Sequence, residues 1–227
     1  QVLGKKQTER VQQINRGREL VRVYNCTGCH DMDGKRGDLR SQFPGPAKIY
    51  GPPTLAYQGF RTQPNWLFDF LKAPFKLRPK PKVRMPSFGF TDDEAQAIVA
   101  YFSAVDGAPY PFQDLSAVTM AHDKGPEAGN AHTAMGAAMF VAAECQKCHV
   151  QGAAETAPEG AVAPDLAMTR VRLRPAWVQQ WITRPQAFDP ESPMPPIWAT
   201  SNILGTVLDK GAVQKSRWSE ALVGDPD

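Results

Sequence analysis

The chain reads as all-α: two small helical domains, residues 1–106 and 131–227, joined by a Pro/Gly-rich linker over 107–130. An internal repeat, a helical spacing of apolar residues between proline stops, and the lack of any alternating run predict this class. The repeat keeps its order. Gly17 stands nine residues before Cys26, and Gly136 nine before Cys145. Pro53-Thr54-Leu55 and Pro164-Asp165-Leu166 follow, with Trp66 and Trp177 each thirteen residues past the proline. The tryptophans open WLFDFLKAP and WVQQWITRP, and each copy then reaches Met-Pro, at Met85-Pro86 and Met194-Pro195. A series of matches in one order implies two copies of one domain.

Each element has its own reason. Residues 9–24 and 133–144 read as the helices that lead into the two cysteine pairs. Pro64 and Pro175 fall where a first helical turn tolerates proline. Behind them Trp66, Leu67, Phe70 and Leu71, and Trp177, Val178, Trp181 and Ile182, share one face. Pro74 and Pro185 end those helices. In TDDEAQAIVAYFSAV, Thr91 and Glu94 have capping-box spacing, and Ala95, Ile98, Val99 and Phe102 form the apolar stripe. The second copy lacks a clear counterpart of that helix; AVQKSRWSEAL, with Val213, Trp218 and Leu222 inward, is the candidate, though its period is poor. The linker holds Gly107, Pro109, Pro111, Gly125, Pro126 and Gly129 with no sustained helical period. The rest is loop, in keeping with 21 prolines and 18 glycines.

Composition is that of an ordinary soluble globular protein, with 42% hydrophobic and 22% charged residues. No apolar run approaches the roughly 20 residues of a membrane helix. QVLGKKQTERVQQ lacks the apolar core of a signal peptide; it is either a mature end or a cut from a longer chain. The formal net charge of +3 divides unevenly, +7 over residues 1–112 and −4 over 113–227. This asymmetry concerns partners and orientation rather than fold.

All 4 cysteines lie in two short stretches, VYNCTGCHDMDG and AAECQKCHVQG. Cys-x-x-Cys-His is the attachment signature of c-type haem. Two thiols three residues apart on a helical turn face one way and can bind one porphyrin as thioethers. The next residue aims an imidazole at the iron. Cys26 and Cys29, and Cys145 and Cys148, are thus the anchors, with His30 and His149 the proximal ligands of two covalently bound haems c. A zinc site built from two Cys pairs spaces them about 15–20 residues apart, whereas Cys29 and Cys145 are 116 apart. A thioredoxin-like pair expects a βαβ context, absent here, and structural disulfides have no need of the histidines.

These residues make the chain resemble class I cytochrome c in tandem, over most of its length apart from the linker and the last thirty or so residues. The resemblance implies that the carbonyls of Pro53 and Pro164 accept the proximal histidine N–H and that Met85 and Met194 are the distal iron ligands. The other methionines, such as Met32, Met135 and Met168, read as adaptable core filler. Trp66 and Trp177 pack on the haem or serve as core aromatics. His122 and His132 read as solvent histidines, with a bis-histidine haem as the alternative if Met194 is idle. The copies differ in one loop: His30 to Pro53 spans 23 residues and His149 to Pro164 spans 15. The longer loop is polar and suited to a contact surface.

His/Met ligation leaves no open iron position and raises the potential, which suits an electron carrier rather than an enzyme. The alternatives are a haem enzyme, of the di-haem peroxidase or thiosulfate-oxidising kind, and a bound electron-transfer subunit of a respiratory complex, with or without association to a membrane. Partners are redox proteins; KAPFKLRPKPKVRM, just before Met85, is a candidate basic surface for an acidic one. No nucleic acid is expected. The resemblance implies a location outside the cytoplasm, such as the periplasm.

Overall fold

The computed structural model describes residues 4–78, 83–109, 126–152 and 163–196. Its helices are α1 (Lys5–Val23), α2 (Asp38–Ser41), α3 (Gln58–Arg61), α4 (Pro64–Lys72), α5 (Asp92–Val105), α6 (Pro126–Ala142), α7 (Thr169–Arg172) and α8 (Pro175–Thr183). Tighter 3-10 turns cover Cys26–Gly28, Gly45–Tyr50, Cys145–Lys147 and Pro185–Ala187. There is no strand among the described residues, only the isolated bridges Met32–Lys35 and Thr62–Leu173. None of the described helices is long and apolar enough to cross a membrane.

Helix starts differ from the sequence reading for local reasons. α1 begins at Lys5 because the Gly4 N–H, otherwise orphaned, is taken by Gln7 Oε1 at 3.0 Å. α6 begins at Pro126, a residue whose missing N–H costs nothing at a first helical position. It therefore enters the stretch read as linker. α5 starts as expected: Thr91 Oγ1 accepts the Glu94 N–H at 3.2 Å, and Glu94 Oε2 accepts the Thr91 N–H at 3.0 Å. α4 and α8 stop at Lys72 and Thr183, just short of Pro74 and Pro185.

The core forms where α1 and α4 pack on α5. Leu20 and Val21, then Trp66, Leu67 and Leu71, then Ala95, Ile98, Val99 and Phe102 are buried together, with Phe90 and Met32. The α1–α5 crossing is close because Gly17 has no side chain; a Cβ there would lie 2.0 Å from the Ala97 carbonyl oxygen. The end of α5 secures α3, since the Asp106 carboxylate accepts N–H bonds from Gly59 (2.6 Å) and Phe60 (3.1 Å).

α3 and α7 occupy matching places 111 residues apart, and so do α4 and α8. The two stretches meet at the Thr62–Leu173 bridge. The Gln63 N–H donates to the Arg172 carbonyl at 2.8 Å, and the Arg174 N–H to the Arg61 carbonyl at 2.9 Å. The 111-residue offset turns each bond into the other, since Gln63 corresponds to Arg174 and Arg172 to Arg61. Arg174, 1% exposed, also donates from Nε to the Thr62 carbonyl at 3.1 Å and from Nη2 to the Pro109 carbonyl at 2.8 Å. Phe188 packs edge-on against Tyr57 at 5.2 Å and Trp177 at 6.2 Å. AVQKSRWSEAL lies outside the described residues, as does His122; of the His132 side chain nothing is described.

Candidate functional site

Each cysteine pair sits on a tight turn entered through a left-handed residue, Asn25 (φ 50°) or Glu144 (φ 56°). The Cys26 carbonyl accepts the N–H groups of Cys29 (3.2 Å) and His30 (3.0 Å), and the Cys145 carbonyl those of Cys148 (3.2 Å) and His149 (2.9 Å). One carbonyl therefore winds cysteine, cysteine and histidine into a single turn, twice. The cysteines are free thiols. Burial pushes the Cys26 thiol up to about 11 and also raises Cys145, which keeps both protonated. No three potential protein ligands cluster for a metal ion among the described residues.

The histidines are held alike. His30 Nδ1 lies 2.7 Å from the Pro53 carbonyl, and His149 Nδ1 2.8 Å from the Pro164 carbonyl. A carbonyl only accepts, so Nδ1 carries the proton and Nε2 keeps its lone pair for a metal. Burial lowers the His30 pKa, ahead of an opposing contribution from the Pro53 bond, favouring the neutral ring that ligation requires. The prolines are themselves pinned. Leu55 N–H donates to the Asp31 carbonyl at 2.8 Å, and Leu166 N–H to the Val150 carbonyl at 2.9 Å.

In the first half a further brace comes from Arg40, 4% exposed. Its Nε donates to Asp31 Oδ2 at 2.8 Å, Nη1 to the Pro52 carbonyl at 2.6 Å and Nη2 to Asp189 at 3.2 Å. Arg40 thereby ties the residue after His30 to the residue before Pro53. It belongs to the longer polar loop, which also contributes Lys48 to an ion pair with Glu191. The loop's contact surface thus faces the second half of the chain. Arg40 was not singled out from sequence; the only hint was the unequal gap between histidine and proline.

One continuous cavity of about 1030 Å³ is lined by His30 and His149, Met85 and Met194, and all four cysteines. Single small-molecule sites span roughly 300–1,000 Å³, so this one is large. Pro53 and Pro164 line it as well, as do Trp66 and Trp177. Trp66 stacks on Phe70 at 4.9 Å and belongs to the core cluster; Trp177 stacks on Trp181 at 4.9 Å. The two readings of the tryptophans are therefore compatible: they are core aromatics that also face the cavity. Met85 packs against the core cluster, and Met194 Sδ accepts a hydrogen bond from Trp181 Nε1 at 2.9 Å. Met32 is a buried core residue, and Met168 packs on the same core.

The donor set fits haem c. Two cysteines stand beside a histidine fixed with Nε2 free, a thioether lines the same cavity, and aromatic and aliphatic side chains make up most of its wall. Cys26, Cys29 and His30 would hold one group, and Cys145, Cys148 and His149 a second.

Neither curated proteins nor solved structures yield a match to the chain. Residues 14–106 match the family model for cytochrome c. That stretch spans α1 to the end of α5 and includes Cys26, Cys29, His30, Pro53 and Met85. Residues 14–106 are thus similar to a cytochrome c domain, which supports covalently bound haem c and a haem-based electron-transfer function there.

Proposed function

We propose that the chain is a di-haem c-type electron carrier, with cytochrome c domains at 1–106 and 131–227 joined by the 107–130 linker. The observation that carries this reading is the recurrence of one histidine clamp, at 2.7 Å in the first half and 2.8 Å in the second. The matching placement of α3 with α7 and of α4 with α8 supports it. Cys26 and Cys29, and Cys145 and Cys148, are the thioether anchors; His30 and His149 are the proximal ligands and Met85 and Met194 the distal ones. Haem supplies a one-electron couple when bound. The chain's own residues orient the imidazoles, close the sixth position with a thioether and exclude water with Trp66, Trp177 and their neighbours. Held by His30 and Met85, and by His149 and Met194, the iron would be closed to substrate, which would favour exchange of electrons with redox partners. We place the protein outside the cytoplasm, where thioether attachment to haem is made.

The test is an intact mass under denaturing conditions together with an absorbance-monitored redox titration. The expected result is a polypeptide heavier by two haems and a titration showing two low-spin centres. A mass heavier by one haem would overturn the di-haem reading.

A further inference from the structure

The loop between His30 and Pro53 is longer than its counterpart between His149 and Pro164, 23 residues against 15. Two cations on it, Arg40 and Lys48, are 4% and 5% exposed. Burying a cation is unfavourable unless it is paired. Both find carboxylates of the second half: Arg40 Nη2 donates to Asp189 at 3.2 Å, and Lys48 pairs with Glu191. Asp189 and Glu191 stand five and three residues before Met194. The long loop therefore grips the segment that delivers Met194 to the cavity.

Asp189 passes this anchorage on to the methionine. Its carbonyl accepts the Ser192 N–H at 2.8 Å, and its Oδ1 accepts the Glu191 N–H at 3.2 Å. Ser192 Oγ in turn accepts the Met194 N–H at 3.3 Å, and Gln186 Nε2 donates to the Met194 carbonyl at 2.7 Å. Arg40 is fixed on its other side by Asp31 Oδ2 and the Pro52 carbonyl, which are neighbours of His30 and Pro53. The loop itself lies tight against the first cysteine turn, since a Cβ on Gly37 would be 2.7 Å from the Cys29 carbonyl oxygen. A line of polar contacts thus runs from the histidine clamp of one half to the methionine segment of the other. The same loop holds the methionine segment of its own half: Arg78, seven residues before Met85, donates to the carbonyls of Ile49 (2.7 Å) and Gly51 (2.6 Å). The arrangement is one-sided. Val150 stands after His149 where Asp31 stands after His30, and valine has no carboxylate to seat an arginine.

We propose that Arg40, acting through Asp189, is a positioning residue for Met194, so that the first half of the chain holds the sixth ligand of the second haem. This rests on the di-haem reading with Met194 as a ligand. A thioether favours reduced iron over oxidised. In the oxidised protein its bond therefore depends most on a segment already held in place by outer contacts. When an anchor is lost, the sulfur leaves the oxidised iron more often, and an external ligand can enter.

The experiment uses the holoprotein and Asp189→Asn, which keeps the shape of the side chain and leaves Arg40 paired with Asp31. The substitution is made in the Met85→Ala background, where the charge-transfer band of oxidised, thioether-bound haem arises from Met194 alone. The expected result is two haems by intact mass, a weaker band, and a slow phase of cyanide binding accelerated on the order of tenfold, the worth of one hydrogen bond to a charged group. In the Met194→Ala background the same substitution is expected to leave the Met85 band and the slow cyanide phase unchanged. An undiminished band with an unchanged cyanide rate in the Met85→Ala background overturns the proposal. Equal effects in both backgrounds also overturn it, because Asp189 is then a general brace of the fold. If Asp189→Asn does not fold, Glu191→Gln, a change on a half-exposed side chain, is read in the same two backgrounds against the same outcomes. A Met85→Ala protein with two haems and no thioether band would instead overturn Met194 as a ligand, and a parent with one haem would overturn the di-haem reading.

Discussion

Phe70 and Trp181 occupy equivalent places in α4 and α8, 111 residues apart, and differ in one N–H. In the second half that N–H is given to the sulfur of Met194 at 2.9 Å; in the first half phenylalanine has nothing to donate. A sulfur that already accepts a hydrogen bond gives less electron density to an oxidised iron, so the donor favours reduction. Under the proposed di-haem reading the two sites should therefore be unequal, with the second at the higher potential on this account. Trp181→Phe is expected to lower one midpoint and leave the other in place. The drop is expected to be on the order of tens of millivolts, equivalent to a hydrogen bond of about 1 kcal/mol acting on one electron. Met85→Ala and Met194→Ala should each open one iron to cyanide or carbon monoxide, read from the absorbance change. If both variants keep the parent spectrum and bind neither ligand, the sixth ligand is another side chain.

At the scale of elements, α1 and α6 serve the same purpose of delivering a cysteine turn, yet their glycines differ in surroundings. A Cβ on Gly17 would meet the Ala97 carbonyl at 2.0 Å and Tyr101 Cβ at 2.7 Å, whereas around Gly136 nothing lies within 4 Å among the described residues. Gly17→Ala must push α1 off α5, a change worth about 1–3 kcal/mol or more. Gly136→Ala is expected to stay within about 1 kcal/mol of the parent, helped by the better helix propensity of alanine. Thermal unfolding of the two variants decides it, and an equal loss in both would mean that a helix crosses α6 as α5 crosses α1. The same asymmetry marks what the sequence could reveal. The α5 helix was readable because Thr91, Glu94 and the apolar stripe are local signals. The histidine clamps were readable because each motif keeps its own spacing. Arg40, Arg61 and Arg172 were not, because their roles depend on which backbone carbonyls and cavity walls the fold brings to them. Arg61 and Arg172 share a repeat position, but the match gains meaning only once the Thr62–Leu173 bridge brings both copies of that position to one seam.

For the molecule as a whole, the basic excess of residues 1–112 is partly internal. Arg40, Arg61 and Arg78 face the cavity, and Lys72 is tied to the Phe90 carbonyl at 2.6 Å and to Asp92 at 2.8 Å. Of the basic loop before Met85, Lys72 and Arg78 are thus structural, Lys80 and Lys82 lie outside the described residues, and Lys76 and Arg84 are exposed. Lys76 and Arg84 also line the mouth of the cavity that holds Met85, so an electron crossing to a partner there would pass beneath their field. Exposed charges of this kind act on encounter rather than on fold. Attraction raises the association rate and is screened over a Debye length of about 10 Å at 0.1 M salt. The acidic balance of residues 113–227 would turn that half away from an anionic partner and present the Met85 side of the cavity. Stopped-flow oxidation of the reduced protein by ferricyanide, a small anionic oxidant, isolates this effect from partner-specific contacts. Lys76→Glu with Arg84→Glu reverses two charges and is expected to slow the reaction roughly threefold to tenfold at low salt, within the range that steering covers. Rising salt should slow the parent and leave the variant flat or slightly faster, and a cationic cobalt oxidant should show the opposite order. Equal ferricyanide rates for parent and variant at low salt would leave Lys76 and Arg84 as ordinary surface and move the point of electron exchange to the second half of the chain.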